Sequence, residues 1–172
     1  FRAVYRNFGD HDALIVEHDV RSDAGIVGPR WYEVRDPLNT PAVFQQGSYL
    51  PDDDVHRWMG SAAIDYSGDI AVGFSVTDDT STNPGIRWAG RLPGDPAGEL
   101  AQGEAELIAG DNPFGGFRWG DYSSLAVDPV DQCTFWYTTM YAPGSAGGDW
   151  STRIGSFKFS NCSIGPTGTL EG

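Results

Sequence analysis

His56-Arg-Trp-Met-Gly-Ser-Ala-Ala-Ile-Asp65 and Phe117-Arg-Trp-Gly-Asp-Tyr-Ser-Ser-Leu-Ala-Val-Asp128 follow one plan: an Arg-Trp pair, small residues, an apolar pair and an aspartate. Pro29-Arg-Trp-Tyr-Glu-Val-Arg35 likewise matches Gly85-Ile-Arg-Trp-Ala-Gly-Arg91 and, more loosely, Thr152-Arg-Ile-Gly-Ser-Phe-Lys158. Phe44-Gln-Gln-Gly47 resembles Leu100-Ala-Gln-Gly103 on the approach to each Arg-Trp pair of the first kind. These elements recur about every 50 to 70 residues, the span of one four-stranded propeller blade with generous loops.

Between the repeats the chain is broken into short segments by 23 glycines and 11 prolines, which leaves no room for long helices. Ala13 to Val20, Ile70 to Val76 and Thr134 to Tyr141 are rich in β-branched and aromatic residues. Each follows a turn-like tetrad, Gly9-Asp-His-Asp, Tyr66-Ser-Gly-Asp or Pro129-Val-Asp-Gln, which is the pattern of a strand entered from a tight turn. Gly98 to Ala109 tolerates a helix but reads better as an outer strand.

The predicted fold is therefore all-β, about three four-stranded blades of a β-propeller in an incomplete ring, with a β-sandwich or β-roll as the alternative. The propeller segment covers 1–160, with blades near 1–50, 51–110 and 111–160, and 161–172 is a C-terminal tail. The predicted strands are Phe1 to Phe8, Asp12 to Val20, Pro29 to Arg35 and Ala42 to Tyr49; Met59 to Asp65, Asp69 to Thr77, Gly85 to Arg91 and Gln102 to Ala109; and Asp121 to Asp128, Cys133 to Tyr141 and Ser151 to Phe159. The last blade lacks a fourth strand. Three blades do not close a ring, so the remaining blades are expected from a missing segment, a second chain or self-association.

Composition narrows the function classes. A net charge of -13 and a single lysine, Lys158, disfavour nucleic acid and anionic lipid as partners. No apolar run approaches the roughly 20 residues that span a bilayer. The spacing of His11, His18 and His56 matches no metal-ligand motif, and no HExxH, GxSxG, phosphate-loop or dinucleotide fingerprint is present. Cys133 opens one apolar run and Cys162 follows another; if the runs are antiparallel neighbours, a disulfide is geometrically reasonable. It would add roughly 3 to 4 kcal/mol and imply an oxidising compartment, against the alternative of two buried thiols. Asn161-Cys-Ser163 fits the glycosylation sequon.

Arg118-Trp-Gly-Asp-Tyr-Ser-Ser-Leu-Ala-Val-Asp-Pro, Cys133-Thr-Phe-Trp-Tyr-Thr-Thr-Met-Tyr and Trp150-Ser-Thr-Arg-Ile-Gly-Ser-Phe-Lys-Phe resemble the C-terminal blades of large secreted bacterial proteins with sialidase-like (BNR-type) propellers. Tyr5-Arg-Asn-Phe-Gly-Asp-His and His56-Arg-Trp-Met-Gly-Ser resemble the preceding blades. The resemblance implies a propeller fold and a secreted, extracellular or periplasmic location, and it adds no catalytic residues. The segment Asp65-Tyr-Ser-Gly-Asp-Ile-Ala does not match the aspartate box of true sialidases.

In a propeller, loops that enter the inner strands gather on one face near the axis. That rule gathers His56, Arg57 and Trp58 with Arg118, Trp119, Asp121 and Tyr122, beside Asp52, Asp53, Asp54, Asp111 and Asn112. Arginine can clamp a carboxylate, tryptophan can stack on a sugar ring, and an aspartate beside tyrosine suits glycoside chemistry. The competing reading of the Arg-Trp pairs is structural, with tryptophan packed between sheets and arginine holding loop carbonyls. Asp52 to Asp54 read as a solvated loop, with calcium ligation as the alternative, and no other cofactor is expected. Two functions follow: a secreted module that binds a glycan or protein or scaffolds an assembly, and the C-terminal part of a glycoside hydrolase or lyase completed by other blades.

Overall fold

The computed structural model describes residues 3–78, 80–116, 118–144 and 149–163. Eleven strands form three antiparallel sheets, and no helix occurs among the described residues. Sheet I holds β1 (Val4–Asn7), β2 (Asp12–Arg21), β3 (Val27–Arg35) and β4 (Ala42–Ser48) in chain order. Sheet II holds β5 (His56–Ile64), β6 (Ile70–Thr77), β7 (Gly85–Arg91) and β8 (Glu104–Ile108), also in chain order. Sheet III holds β9 (Ser124–Val127), β10 (Phe135–Tyr141) and β11 (Ser151–Phe157).

Each strand lies within or close to its predicted segment, and the last sheet has three strands among the described residues, as expected. Three successive sheets replace the two of a sandwich. The differences are at element ends. β5 begins at His56, before Met59, because its pairing with β6 continues through a bulge between Trp58 and Ser61. β1 and β9 are only four residues long. In the stretch that tolerates a helix, turns occupy 97–102 and the strand starts at Glu104.

Sheet II is covered on both faces, which explains why every residue of β6 from Ile70 to Val76 is buried. Alternation divides that strand. Ile70, Val72, Phe74 and Val76 pack with Ala13, Ile15 and Trp31 of sheet I, while Ala71 joins Phe135, Tyr137 and Phe159 on the sheet III side. Gly73 lies on the second face, and a Cβ there would strike the Tyr137 ring at 2.6 Å. Backbone and aromatic ring can approach this closely only without a side chain.

The first strands of the three sheets meet: Val4 to Arg6, Ile64 and Leu125 to Val127 line one groove of about 560 Å³. Among the described residues, sheets I and III each keep one face uncovered and no ring is closed. Cys133 and Cys162 lie at disulfide distance, with Cα atoms 5.7 Å apart. The pair ties the segment after β11 to the start of β10, and it is compatible with an oxidising environment. Asn161 donates to Asp69 at 2.8 Å, so the sequon amide is engaged within the fold. The tail beyond residue 163 and Phe1 at the start lie outside the described residues.

Candidate functional site

On β2, the row Ala13, Ile15, Glu17, Asp19 points to one side. Its first two members are completely buried against sheet II. Its last two are acids, and the sheets separate there. β5 bulges at the same level, and Met59 takes a left-handed φ of 50°, a conformation that is costly for a non-glycine residue. The turn aims the Met59 N–H at Asp19 Oδ2, 3.1 Å away. The resulting cleft, of about 710 Å³, is bounded by Glu17, His18 and Asp19 on sheet I, Met59 to Ser61 on sheet II, and Arg118 with Asp121 to Ser123 before sheet III.

The loop before β9 forms the third wall. Trp119 meets Trp58 edge-on at 5.0 Å, and Arg118 pairs with Asp121 at 2.8 Å. Gly120, at φ 74°, packs over Ser75, where a Cβ would sit 3.0 Å from the hydroxyl. Ser123 donates to the Gly60 carbonyl at 3.0 Å, so the 2.7 Å contact between Ser61 and Ser123 has Ser61 as donor. Tyr122 is held through its carbonyl, which accepts from Thr139 at 3.2 Å, while 81% of its surface stays exposed on the rim.

Burial raises the pKa of Glu17 to about 7, and the neighbouring Asp19 charge adds to this; a desolvated carboxylate beside a like charge retains its proton. Burial also raises Asp19, partly offset by the Met59 N–H. One Glu17 oxygen, Oε2, is buried with no hydrogen-bond partner. Beneath the wall, the wholly buried Tyr137 hydroxyl points toward Ser123 without closing a hydrogen bond, and burial raises its pKa.

Of the residues singled out in the sequence, Arg118, Asp121 and Tyr122 line the cleft, and Trp58 and Trp119 brace it. Arg57 is turned away. It is 1% exposed and donates to both Asp53 oxygens at 3.0 and 2.6 Å, to the Val55 carbonyl at 2.7 Å and to Glu104 at 2.6 Å. Burial opposes its charge, yet the Asp53 and Glu104 hydrogen bonds keep its pKa above the ordinary value. His56 accepts from the Val27 N–H at 3.2 Å and joins sheets I and II. Asp111 is anchored by its backbone to Ala142 and, like Asn112, does not line the cleft.

The three carboxylates of Asp52, Asp53 and Asp54 do not converge at metal-ligating distance. Asp53 is committed to Arg57, whose hydrogen bond lowers its pKa, and Asp54 adopts a turn φ of 58°. Among the described residues, one acidic or sulfur cluster has that spacing, Asp65 with Cys133 and Cys162, and both sulfurs belong to the bonded pair.

Sequence reasoning missed Glu17, Asp19, Ser61, Ser123 and Tyr137. The signal available was the change from apolar to acidic along the inward row of β2, visible once the strand's facing is fixed. No protein-family model, curated protein or solved structure matches the chain.

Proposed function

We propose that the chain is three blades of a secreted β-propeller, and that the cleft between its sheets is the ligand site of a module that binds an extracellular glycan or protein. The observation that carries the binding reading is the cleft itself. Three sheets converge on it, an exposed tyrosine stands on the rim, and buried polar atoms in and under its wall have no partner. Sites that recognise small ligands are built this way, from a concave pocket with a few polar groups and an aromatic platform. Among the described residues no helix is long and apolar enough to cross a membrane.

The propeller reading draws support from one position in the third strand of each sheet. Trp31 pairs with Glu17, Trp88 with Gly73 and Ile154 with Thr138. Trp31 is buried against sheet II, and Trp88 stacks on Phe157 of sheet III at 3.8 Å. Ile154, which follows an arginine as both tryptophans do, is 68% exposed, as expected of a blade whose successor belongs to another segment or chain. Light scattering on the native particle tests this part, and a lone 18.6 kDa monomer counts against it.

A glycan array tests the binding reading. Retention of a glycan by the native chain and its loss in Tyr122→Ala are expected; no retention at high protein concentration defeats the glycan form. The hydrolytic reading keeps one supporting observation, a Glu17 carboxyl still half protonated near pH 7 beside Asp19, which suits a general acid. Glycan cleavage abolished by Glu17→Gln would favour it.

A further inference from the structure

The cleft carries more carboxylate than cation: Glu17, Asp19 and Asp121 stand against Arg118 and His18, and the His18 ring nitrogens are engaged by the Asp19 carbonyl and the Tyr32 hydroxyl, each at 3.1 Å. Glu17 and Asp19 take part in none of the ion pairs among the described residues, and the sole arginine on the wall, Arg118, is already paired with Asp121. One backbone N–H reaches Asp19, whereas Glu17 Oε2 receives no donor. The hydroxyls of Ser61 and Ser123 cannot serve both acids, since each donates elsewhere. The Tyr137 hydroxyl, fully buried behind Ser123, is a further polar group without a partner. A buried acceptor left unsatisfied is costly, a penalty that an arriving donor removes.

We propose that the cleft selects a ligand bearing a protonated amine, specifically an oligosaccharide of de-N-acetylated amino sugar such as glucosamine. The inference rests on the cleft being the ligand site and adds the charge of the ligand. An ammonium brings three donors and no acceptor, the complement of Glu17, whose buried Oε2 receives no donor, and of Asp19, which receives one backbone N–H. A divalent cation fits less well, because no third His, Cys, Asp or Glu ligand atom lies with Glu17 and Asp19 among the described residues. An acidic sugar would meet the carboxylates with Arg118 already engaged. A cavity of about 710 Å³ is wide for a bare alkylammonium chain and suits pyranose rings, with Tyr122 exposed at the rim as a stacking and cation-π surface. The net charge of -13 raises the local concentration of cationic ligands.

The test is calorimetric titration of the intact chain with glucosamine oligomers and with N-acetylglucosamine oligomers of equal length, repeated with Glu17→Gln and Asp19→Asn, each variant first checked for a cooperative melting transition. The glucosamine oligomer is expected to bind at least tenfold more tightly than its acetylated counterpart, and each variant to remove most of that difference. Should one variant fail to fold, the other decides. Equal binding of both oligomers, abolished by Tyr122→Ala, overturns the amine inference while the glycan site stands. Binding of neither overturns both. Oligolysine binding as tightly as the glucosamine oligomer overturns the sugar, and calcium displacing it through Glu17 overturns the amine in favour of a metal.

Discussion

One Arg-Trp pair opens β5 and another precedes β9, and the two copies have opposite fates. Arg57 is sealed between β5 and β8 and bonded to two carboxylates and a carbonyl. The Arg118 side chain is 78% exposed and holds a single aspartate on the cleft rim. Meanwhile Trp58 and Trp119 come together, edge to face, across the boundary between sheets II and III. A repeat fixes where a residue starts on its sheet; the neighbouring sheet decides whether it becomes structure or surface. Sheet II has Glu104 on its last strand to receive Arg57, whereas sheet III shows no fourth strand among the described residues and Arg118 turns to the open face.

The sharpest way to break this contrast is to truncate both arginines. Arg57→Met leaves Asp53 without its partner and Glu104 with Arg87 alone, and is expected to cost about 3–5 kcal/mol, the usual penalty for breaking a buried ion pair, as read by urea denaturation. Arg118→Ala should stay within about 0.5 kcal/mol, as surface substitutions do. Similar losses from the two would mean that the copies are equivalent after all.

Next in size is the covalent tie. Replacing Cys133 and Cys162 together by serine should lower stability by about 3 kcal/mol, from the entropy of a loop spanning 29 residues. The loss should exceed that of Arg118→Ala and fall near that of Arg57→Met. An unchanged midpoint would show that Phe159 and its aromatic neighbours hold the segment unaided.

Acidity should separate the two surroundings by sign. Asp53, lowered by Arg57, contributes stability that is present above its ordinary pKa of 3.8 and is lost as the pH falls below it. Glu17 is raised from 4.5 to about 7, so the folded state binds the extra proton, and its contribution is full below pH 4.5 and lost as the pH rises to 7. Asp65 behaves like Glu17, since burial and then Asp69 raise it to about 7. Denaturation midpoints should fall between pH 5 and 8, and Glu17→Gln should flatten that fall, leaving the share due to Asp65. A fall as steep in the variant would place the titration elsewhere.

The smallest effect concerns the hydroxyl beneath the cleft. Tyr137→Phe removes an unpartnered buried oxygen and keeps the ring against Gly73, so stability should be unchanged or rise by up to about 1 kcal/mol. A loss of more than that would reveal a hydrogen bond to Ser123 in solution.

Strand positions and their grouping were legible in the sequence because both are local. Turn tetrads and period-two alternation act over a few residues, and the Arg-Trp and Trp31, Trp88, Ile154 repeats mark equivalent places on successive sheets. The cysteine pairing was legible for the same reason, since antiparallel neighbours bring Phe135 opposite Phe157. Half of the candidate site was legible as well. Arg118, Asp121 and Tyr122 sit in a loop with a distinctive motif, but the same motif misassigned Arg57, because its partner Glu104 is remote in sequence and its approach depends on how β8 pairs with β7.

The sequence by itself determined an all-β chain of repeated sheets, a strongly acidic surface and a cysteine pair, all consequences of short-range pattern and composition. Tertiary structure alone decided which acids matter. Glu17 and Asp19 sit in β2 as two more polar residues of an alternating strand. Only the divergence of sheets I and II, the left-handed turn at Met59 and the loop ending at Ser123 leave them facing a common cleft whose one arginine is paired with Asp121. Desolvation and the absence of a partner depend on every element that surrounds a group, and no single segment of the chain encodes them.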